Sequence, residues 1–183
     1  MNVKTAVFIV GLSGLLLSGV EPAAPAVNVL KDGDFSQKQT SPQIFGSWWL
    51  GSLSKDYTVI HDTGDFKSAP QSLCIESNGK TIAIRQNLPA LKPNTKYKIV
   101  FFMKTENVIP KGKYSGAILN ICSDRNHWFP AKYQTGTQPW TRYEGVFTAG
   151  PNTNVKGRAY MLLYLMNASG KVWFDDILLT EVQ

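Results

Sequence analysis

The chain has 183 residues, of which 43% are hydrophobic, and a formal net charge of +6. That length suits one domain, and the apolar fraction is sufficient for a packed core. Lys and Arg are spread evenly with no run of five or six, which argues for a solvated basic surface and against a nucleic-acid patch or a membrane-surface patch.

The first residues have the layout of a secretory signal peptide. Lys4 is a positive start, Ala6 to Leu17 is an uncharged apolar stretch, and Ala24-Pro25-Ala26 is a small-x-small cleavage signal. The apolar stretch is short of the about 20 residues that a membrane span needs. We expect a soluble mature chain from Val27 onward, secreted or periplasmic, without a lipid because the first cysteine is Cys74. Export argues further against a nucleic-acid partner.

After residue 30 helical periodicity is nearly absent. Short segments rich in Val, Ile, Tyr, Phe and Trp alternate with Gly, Pro, Asn, Asp and Ser. The pattern predicts strands at 48–50, 57–61, 72–76, 81–87, 96–105, 116–121, 141–148, 159–166 and 171–181. Turns fall at Gly64-Asp65, Ser77-Asn78-Gly79, Lys92 to Thr95, Pro110-Lys111-Gly112, Gly150-Pro151-Asn152 and Ser169-Gly170. Strands at this spacing with no helices predict an all-β sandwich or barrel in a single domain, 27–183. In the 96–105 strand, Tyr97, Ile99, Phe101 and Met103 share one row while Val100 and Phe102 share the other. A strand apolar on both sides is central or carries a second packed face.

Two long loops stand out, 32–45 and 124–139. The second holds Arg125, Asn126, His127, Trp128, Phe129 and Tyr133, and aromatic area beside polar donors marks a ligand-site candidate. Cys74 and Cys122 lie in separate predicted strands, and in an oxidising compartment they are either one disulfide or two buried thiols. Asn167-Ala168-Ser169 is a glycosylation sequon that we expect to be unused, because the leader has a bacterial layout.

The last strand carries Asp175 and Asp176 inside an apolar run. Side chains alternate along a strand, so one of the two carboxylates lies next to buried surface whichever row faces the core. A buried, unpaired carboxylate costs at least several kcal/mol. Backbone N–H groups, a cationic side chain or an oxygen-seeking ion such as calcium would each relieve it.

Nothing in the sequence points to catalysis. His61 and His127 are far apart and in no metal-protease spacing, and there is no Gly-x-Ser-x-Gly elbow or phosphate loop. Glycosidases need two carboxylates across a cleft. Glu76, Glu106 and Glu144 are single strand carboxylates of the ordinarily solvated kind.

Several fragments occur together in order. They are Asp32-Gly33-Asp34-Phe35, a Trp at 48 or 49, Gln71-Ser72-Leu73 and Ile84-Arg85-Gln86. Leu91 to Tyr97, Trp140 to Thr148 and Val172-Trp173-Phe174-Asp175-Asp176 complete the series. Over residues 28 to 182 the series resembles the jelly-roll carbohydrate-binding modules of the cellulose- and xylan-binding group, families four, nine and twenty-two, within the galactose-binding-like fold. The resemblance implies a β-sandwich jelly roll, no chemistry of its own, and binding of a polysaccharide or oligosaccharide such as a β-glucan or xylan. It also implies a structural calcium ion held by the N-terminal segment, the turn before the second main strand, and the first Asp of the C-terminal pair. Asp175 matches that last ligand and Asp34 sits in the N-terminal segment. The chain departs from the pattern at Ser36, where the family often has Glu.

Sugar rings stack their C–H faces on aromatics and present hydroxyls to planar, multi-donor side chains. The stacking candidates are Trp49, Trp128 and Tyr133, and the polar candidates are Arg85, Asn120, Arg125 and Asn126. Tyr160 and Tyr164 share one strand row and would line the same face or the core. Trp140 and Trp173 fall where the resembling family has structural tryptophans, so we read both as core. We expect a monomer, and the alternative function is a jelly-roll module that binds a protein partner or builds an extracellular assembly.

Overall fold

A computed structural model describes residues 27–183, and the expected leader lies outside the described residues. In chain order the strands are β1 (Gln39–Ser41), β2 (Ile44–Phe45), β3 (Trp48–Leu50), β4 (Tyr57–Asp62), β5 (Ser72–Asn78) and β6 (Ile82–Asn87). They continue as β7 (Lys96–Pro110), β8 (Gly116–Ser123), β9 (Asn126–Trp128), β10 (Gly136–Thr148), β11 (Ala159–Met166) and β12 (Ala168–Glu181). They form two antiparallel sheets, a β-sandwich of the jelly-roll kind. The large sheet runs β1-β2-β3-β6-β11-β8-β9 and the small sheet runs β10-β7-β12-β5-β4.

Alternation explains the strands. Along β7, Tyr97, Ile99, Phe101, Met103 and Thr105 are buried while the residues between them are more open. The strand is central, between β10 and β12, and Lys67 lies 5.0 Å over the Phe102 ring on its outward side. In the large sheet, β11 is central and turns Met161, Leu163 and Leu165 inward. Phe35, Phe45, Trp48, Leu73, Ile75, Ile84, Ile99, Phe101 and Phe174 fill the space between the sheets. Each such side chain contributes about 1.5–3 kcal/mol by leaving water.

The N-terminal segment ties into the last strand. Val29 N–H donates to Leu179 C=O at 2.8 Å, and Ile177 N–H donates to Gly33 C=O at 2.8 Å. A Cβ at residue 33 would sit 2.0 Å from the Ile177 oxygen, so this close approach requires glycine. Trp48 Nε1 then donates to Asp32 C=O at 2.9 Å, which fixes the first large aromatic of the core.

The observed strands extend beyond the expected ones at several ends, and β1, β2 and β9 were not expected at all. β9 lies inside the segment read as one long loop. Cys74 pairs in register with Trp173 and Ile60 on the outward side of the small sheet, whereas Cys122 pairs with Tyr160 and His127 on the outward side of the large sheet. Both thiols are free and buried, on opposite sides of the sandwich, so a bridge between them is excluded.

Trp173 is buried as expected, though outside the space between the sheets, and Trp140 corrects the core assignment. Trp173 is only 4% exposed, yet it lies on the outward side of the small sheet, with its indole N–H on Asp62 at 2.7 Å and Lys104 5.0 Å above its ring. Trp140 is half-buried and donates to Asp65 at 3.0 Å.

Candidate functional site

The outward face of the large sheet gathers most of the candidate side chains. Trp49 pairs with Arg85, Arg85 with Leu162, and Leu162 with Asn120, one row across β3, β6, β11 and β8. Three interstrand gaps make that row about 14 Å long, more than a single sugar ring. The next row runs Asn87, Tyr160, Cys122 and His127. A third holds Tyr164 between Ala83 and Ile118.

Alternation decides which residues stand there. Ile84 and Gln86 turn inward, so Arg85 turns outward; Gln86 clamps the Lys31 main chain from inside, donating to its C=O at 2.8 Å and accepting from its N–H at 3.0 Å. Likewise Trp48 is fully buried and Trp49 is 50% exposed.

Arg85 is the best-positioned polar group. Its guanidinium lies 3.9 Å from the centroid of the Tyr160 ring, and its Nε donates to Asn87 Oδ1 at 3.0 Å. Cation–π stacking and one hydrogen bond together orient the planar fork. Among the described residues, its terminal nitrogens have no other partner, so they are available to a ligand. The Tyr160 hydroxyl is pushed up to about 12, first by its hydrogen bond with Cys122 and then by burial, so it stays neutral. The His127 ring meets Tyr160 edge-on at 6.3 Å.

Two clefts border this face. One, of about 680 Å³, is lined by Trp49, Arg85, Asn87, Lys31, Lys156 and neighbouring residues. The second, of about 470 Å³, is lined by Arg125, His127, Arg158, Tyr160, Cys122 and Gly157, and Gly157 also lines the first.

The structure sorts the sequence candidates. Trp49, Arg85 and Arg125 stand at the clefts. Tyr133 joins the same face at its other end, with its hydroxyl on Met166 Sδ at 3.4 Å. Trp128 is a correction. It pairs with the core residue Ile121, packs against Phe147 at 5.4 Å between centroids, and leans on Gly145 of the opposite sheet. Asn126 shares its strand row and is likewise turned away from the outward face. Asn120 is fully buried and acts as a support: its Oδ1 meets His127 Nδ1 at 2.9 Å and its Nδ2 donates to Trp128 C=O at 3.1 Å. His127, named from the sequence only as part of the candidate loop and not as a stacking or polar group, is a member of this face; its strand is three residues long and shows no alternation of its own.

The residues proposed for calcium do not fit a cation at Asp175. That carboxylate is fully buried and accepts three main-chain N–H groups, from Lys67 at 2.8 Å and Ser68 at 3.0 Å on Oδ2, and from Asp176 at 2.8 Å on Oδ1. Donor hydrogens point where a cation would approach. Burial pushes the carboxyl up to about 6, and the three amides pull it down. Asp34 instead accepts from the Ser36 N–H and hydroxyl and borders a depression with Asp32 and Asp176. Among the described residues no three His, Cys, Asp or Glu side chains are grouped to hold a metal.

No family model and no curated protein matches the chain. Among solved structures it is similar to the CBM22-1 xylan-binding domain of Xyn10C from Paenibacillus barcinonensis, with a TM-score of 0.57 and 13% identity over 88% of this chain and 99% of that one. It is similar to a cyclase from Fischerella sp. TAU solved with an indolyl butanone, with a TM-score of 0.59 and 16% identity over 86% of this chain and 98% of that one. It also resembles the enzymatically active domain of bacteriophage CBA120 tailspike protein 4, with a TM-score of 0.56 and 14% identity over 85% of this chain and 21% of that one. The chain thus spans about one-fifth of the tailspike chain. These likenesses establish the jelly-roll sandwich that carbohydrate-binding modules share.

Proposed function

We propose that this chain is an exported, monomeric, non-catalytic protein that binds a polysaccharide or oligosaccharide on the outward face of its large sheet. The observation that carries the reading is Trp49, half-exposed beside Arg85, whose fork is oriented by Tyr160 at the mouth of a cleft of about 680 Å³. An exposed aromatic face next to planar donors is what a sugar ring requires. The xylan-binding domain of similar fold supports the ligand class.

A binding rather than a catalytic role is supported by the composition of the clefts. Among the described residues no carboxylate lines either of them, so these linings do not offer the acid and base pair of glycoside hydrolysis. Glu106 and Glu144 lie on β7 and β10 and Glu76 on β5, all in the small sheet.

A glycan array probed with the purified protein tests the reading. Retention on xylan, β-glucan or a related polymer is the expected result. Silence across the array, from protein shown folded by circular dichroism, would overturn it and move the weight to a protein partner.

A further inference from the structure

We infer that the glycan recognised by this face is anionic, carrying carboxylate or sulfate groups. The inference rests on the glycan-binding reading above and goes beyond it by naming the charge of the ligand.

The argument is one of charge placement. The net charge of +6 is spread along the sequence, but the fold sorts it. Lys31, Arg85 and Lys156 line the larger cleft, Arg125 and Arg158 line the adjoining one, and among the described residues no Asp or Glu lines either. The acidic side chains border other depressions: Asp32, Asp34 and Asp176 at one, Asp56 and Glu76 at another. A pair of adjoining clefts lined by cations raises the local concentration of a polyanion.

The individual groups differ in readiness. Arg158 is shared with Asp124, its guanidinium 3.4 Å from Oδ1, so part of its charge is spent inside the protein. Among the described residues Arg85 meets no carboxylate, and its planar fork, held 3.9 Å from the Tyr160 ring centroid and by Asn87, suits bidentate contact with a carboxylate or sulfate. Lys31 and Lys156 are exposed at the rim of the same cleft, where they would steer the chain without holding a fixed geometry. Trp49, half-exposed and lining the same cleft, supplies the stacking platform. The neutral Tyr160 adds no opposing charge.

Binding of the purified protein to polygalacturonate, a sulfated galactan and neutral xylan would be measured by affinity electrophoresis and calorimetry at low and high salt. One of the two anionic polymers should bind tightest, about tenfold or more above xylan, and weaken steeply with salt, since the Debye length falls from about 30 Å at 0.01 M to about 3 Å at 1 M. Which anionic polymer wins tells carboxylate from sulfate. The pair Lys31→Gln and Lys156→Gln should reduce anionic binding several-fold, whereas Lys55→Gln and Lys113→Gln, away from the clefts, should not. Equal loss from the distant pair would show mere net charge and overturn the inference. Tightest, salt-insensitive binding to xylan would overturn it too while leaving the glycan-binding reading in place. Binding to none of the three would remove both.

Discussion

The carboxylate of Asp175 accepts the main-chain N–H of Ser68 at 3.0 Å, a contact that joins residues 107 apart in sequence. With the Lys67 and Asp176 amides it forms a three-donor clamp, so backbone dipoles partly offset the cost of the buried charge. The neighbouring Ser68 hydroxyl donates to Asp176 Oδ1 at 2.5 Å, which ties the same loop to β12 a second time. Asp175→Ala therefore leaves these part-buried amides without their acceptor, at about 1–3 kcal/mol each. At about 2–4 °C per kcal/mol for a chain of this size, the melting temperature should fall by roughly 10–30 °C. Calcium or EDTA should leave the melting temperature of the wild type unchanged, because the amides occupy the carboxylate. A calcium-induced rise that Asp175→Ala abolishes would reinstate an ion at this position.

Trp49 and Arg85 face each other across adjacent strands, and both are needed for the proposed ligand. Trp49→Ala removes the stacking surface and Arg85→Ala removes the oriented fork, and each should weaken polysaccharide retention about tenfold or more. Neither side chain packs in the core, so thermal unfolding should shift little. Arg85→Lys is informative here, since it keeps the charge but loses the planar fork and should recover only part of the affinity. Undiminished retention in both alanine variants would move the site elsewhere.

Trp128→Ala should behave in the opposite way. Its ring fills the edge of the sandwich between Phe147 and Gly145, so truncation leaves a void under β10. Full burial of a Trp makes such a change cost about 3–5 kcal/mol, and this half-buried ring should cost about 2–3 kcal/mol. Chemical denaturation of the variant measures that loss directly. Polysaccharide affinity should hold in the fraction that remains folded.

The contrast between Trp49 and Trp128 shows what was legible in the sequence. Strands with several alternating pairs were readable: the 159–166 segment coincides with β11, and the apolar row from Tyr97 to Met103 is the inward face of β7. The two-sheet architecture followed from those strands and their turns. Alternation puts one of Trp48 and Trp49 outward, and the structure shows that it is Trp49. Trp128 was not, because β9 is three residues long and its facing is set by pairing with Ile121, a long-range contact that periodicity does not encode. The same pairing turns His127 outward. Asn120 stands among the polar candidates in the sequence, and only the tertiary structure shows that the His127 ring takes its Oδ1. For Asp175 the need for a partner was legible, but the choice among amides, a cation and an ion depended on how residues 63–71 fold over the small sheet.

His61 provides a pH test that is independent of ligand. Its ring sits against Phe45 at 5.5 Å and Phe35 at 6.5 Å, Nδ1 meets Gln71 Nε2 at 3.1 Å, and Nε2 is buried without a partner among the described residues. Burial lowers its pKa below the ordinary 6.5. In the window between that lowered value and 6.5 the unfolded chain binds more protons than the folded one, so stability rises with pH there. The contribution is complete above pH 6.5 and is lost as pH falls through the folded value. Asp175 works in the other direction: raised to about 6, it contributes most below its ordinary value of 3.8 and loses that contribution as pH rises through 6. The two trends oppose each other, so the wild-type profile alone does not isolate either. His61→Phe keeps an aromatic ring in the site and removes one titration. The stability of the wild type minus that of His61→Phe, from urea unfolding at pH 5 to 7.5, should increase with pH and level off above about 6.5. A difference that stays flat across this range would mean that His61 keeps its ordinary pKa and that its ring is reached by water.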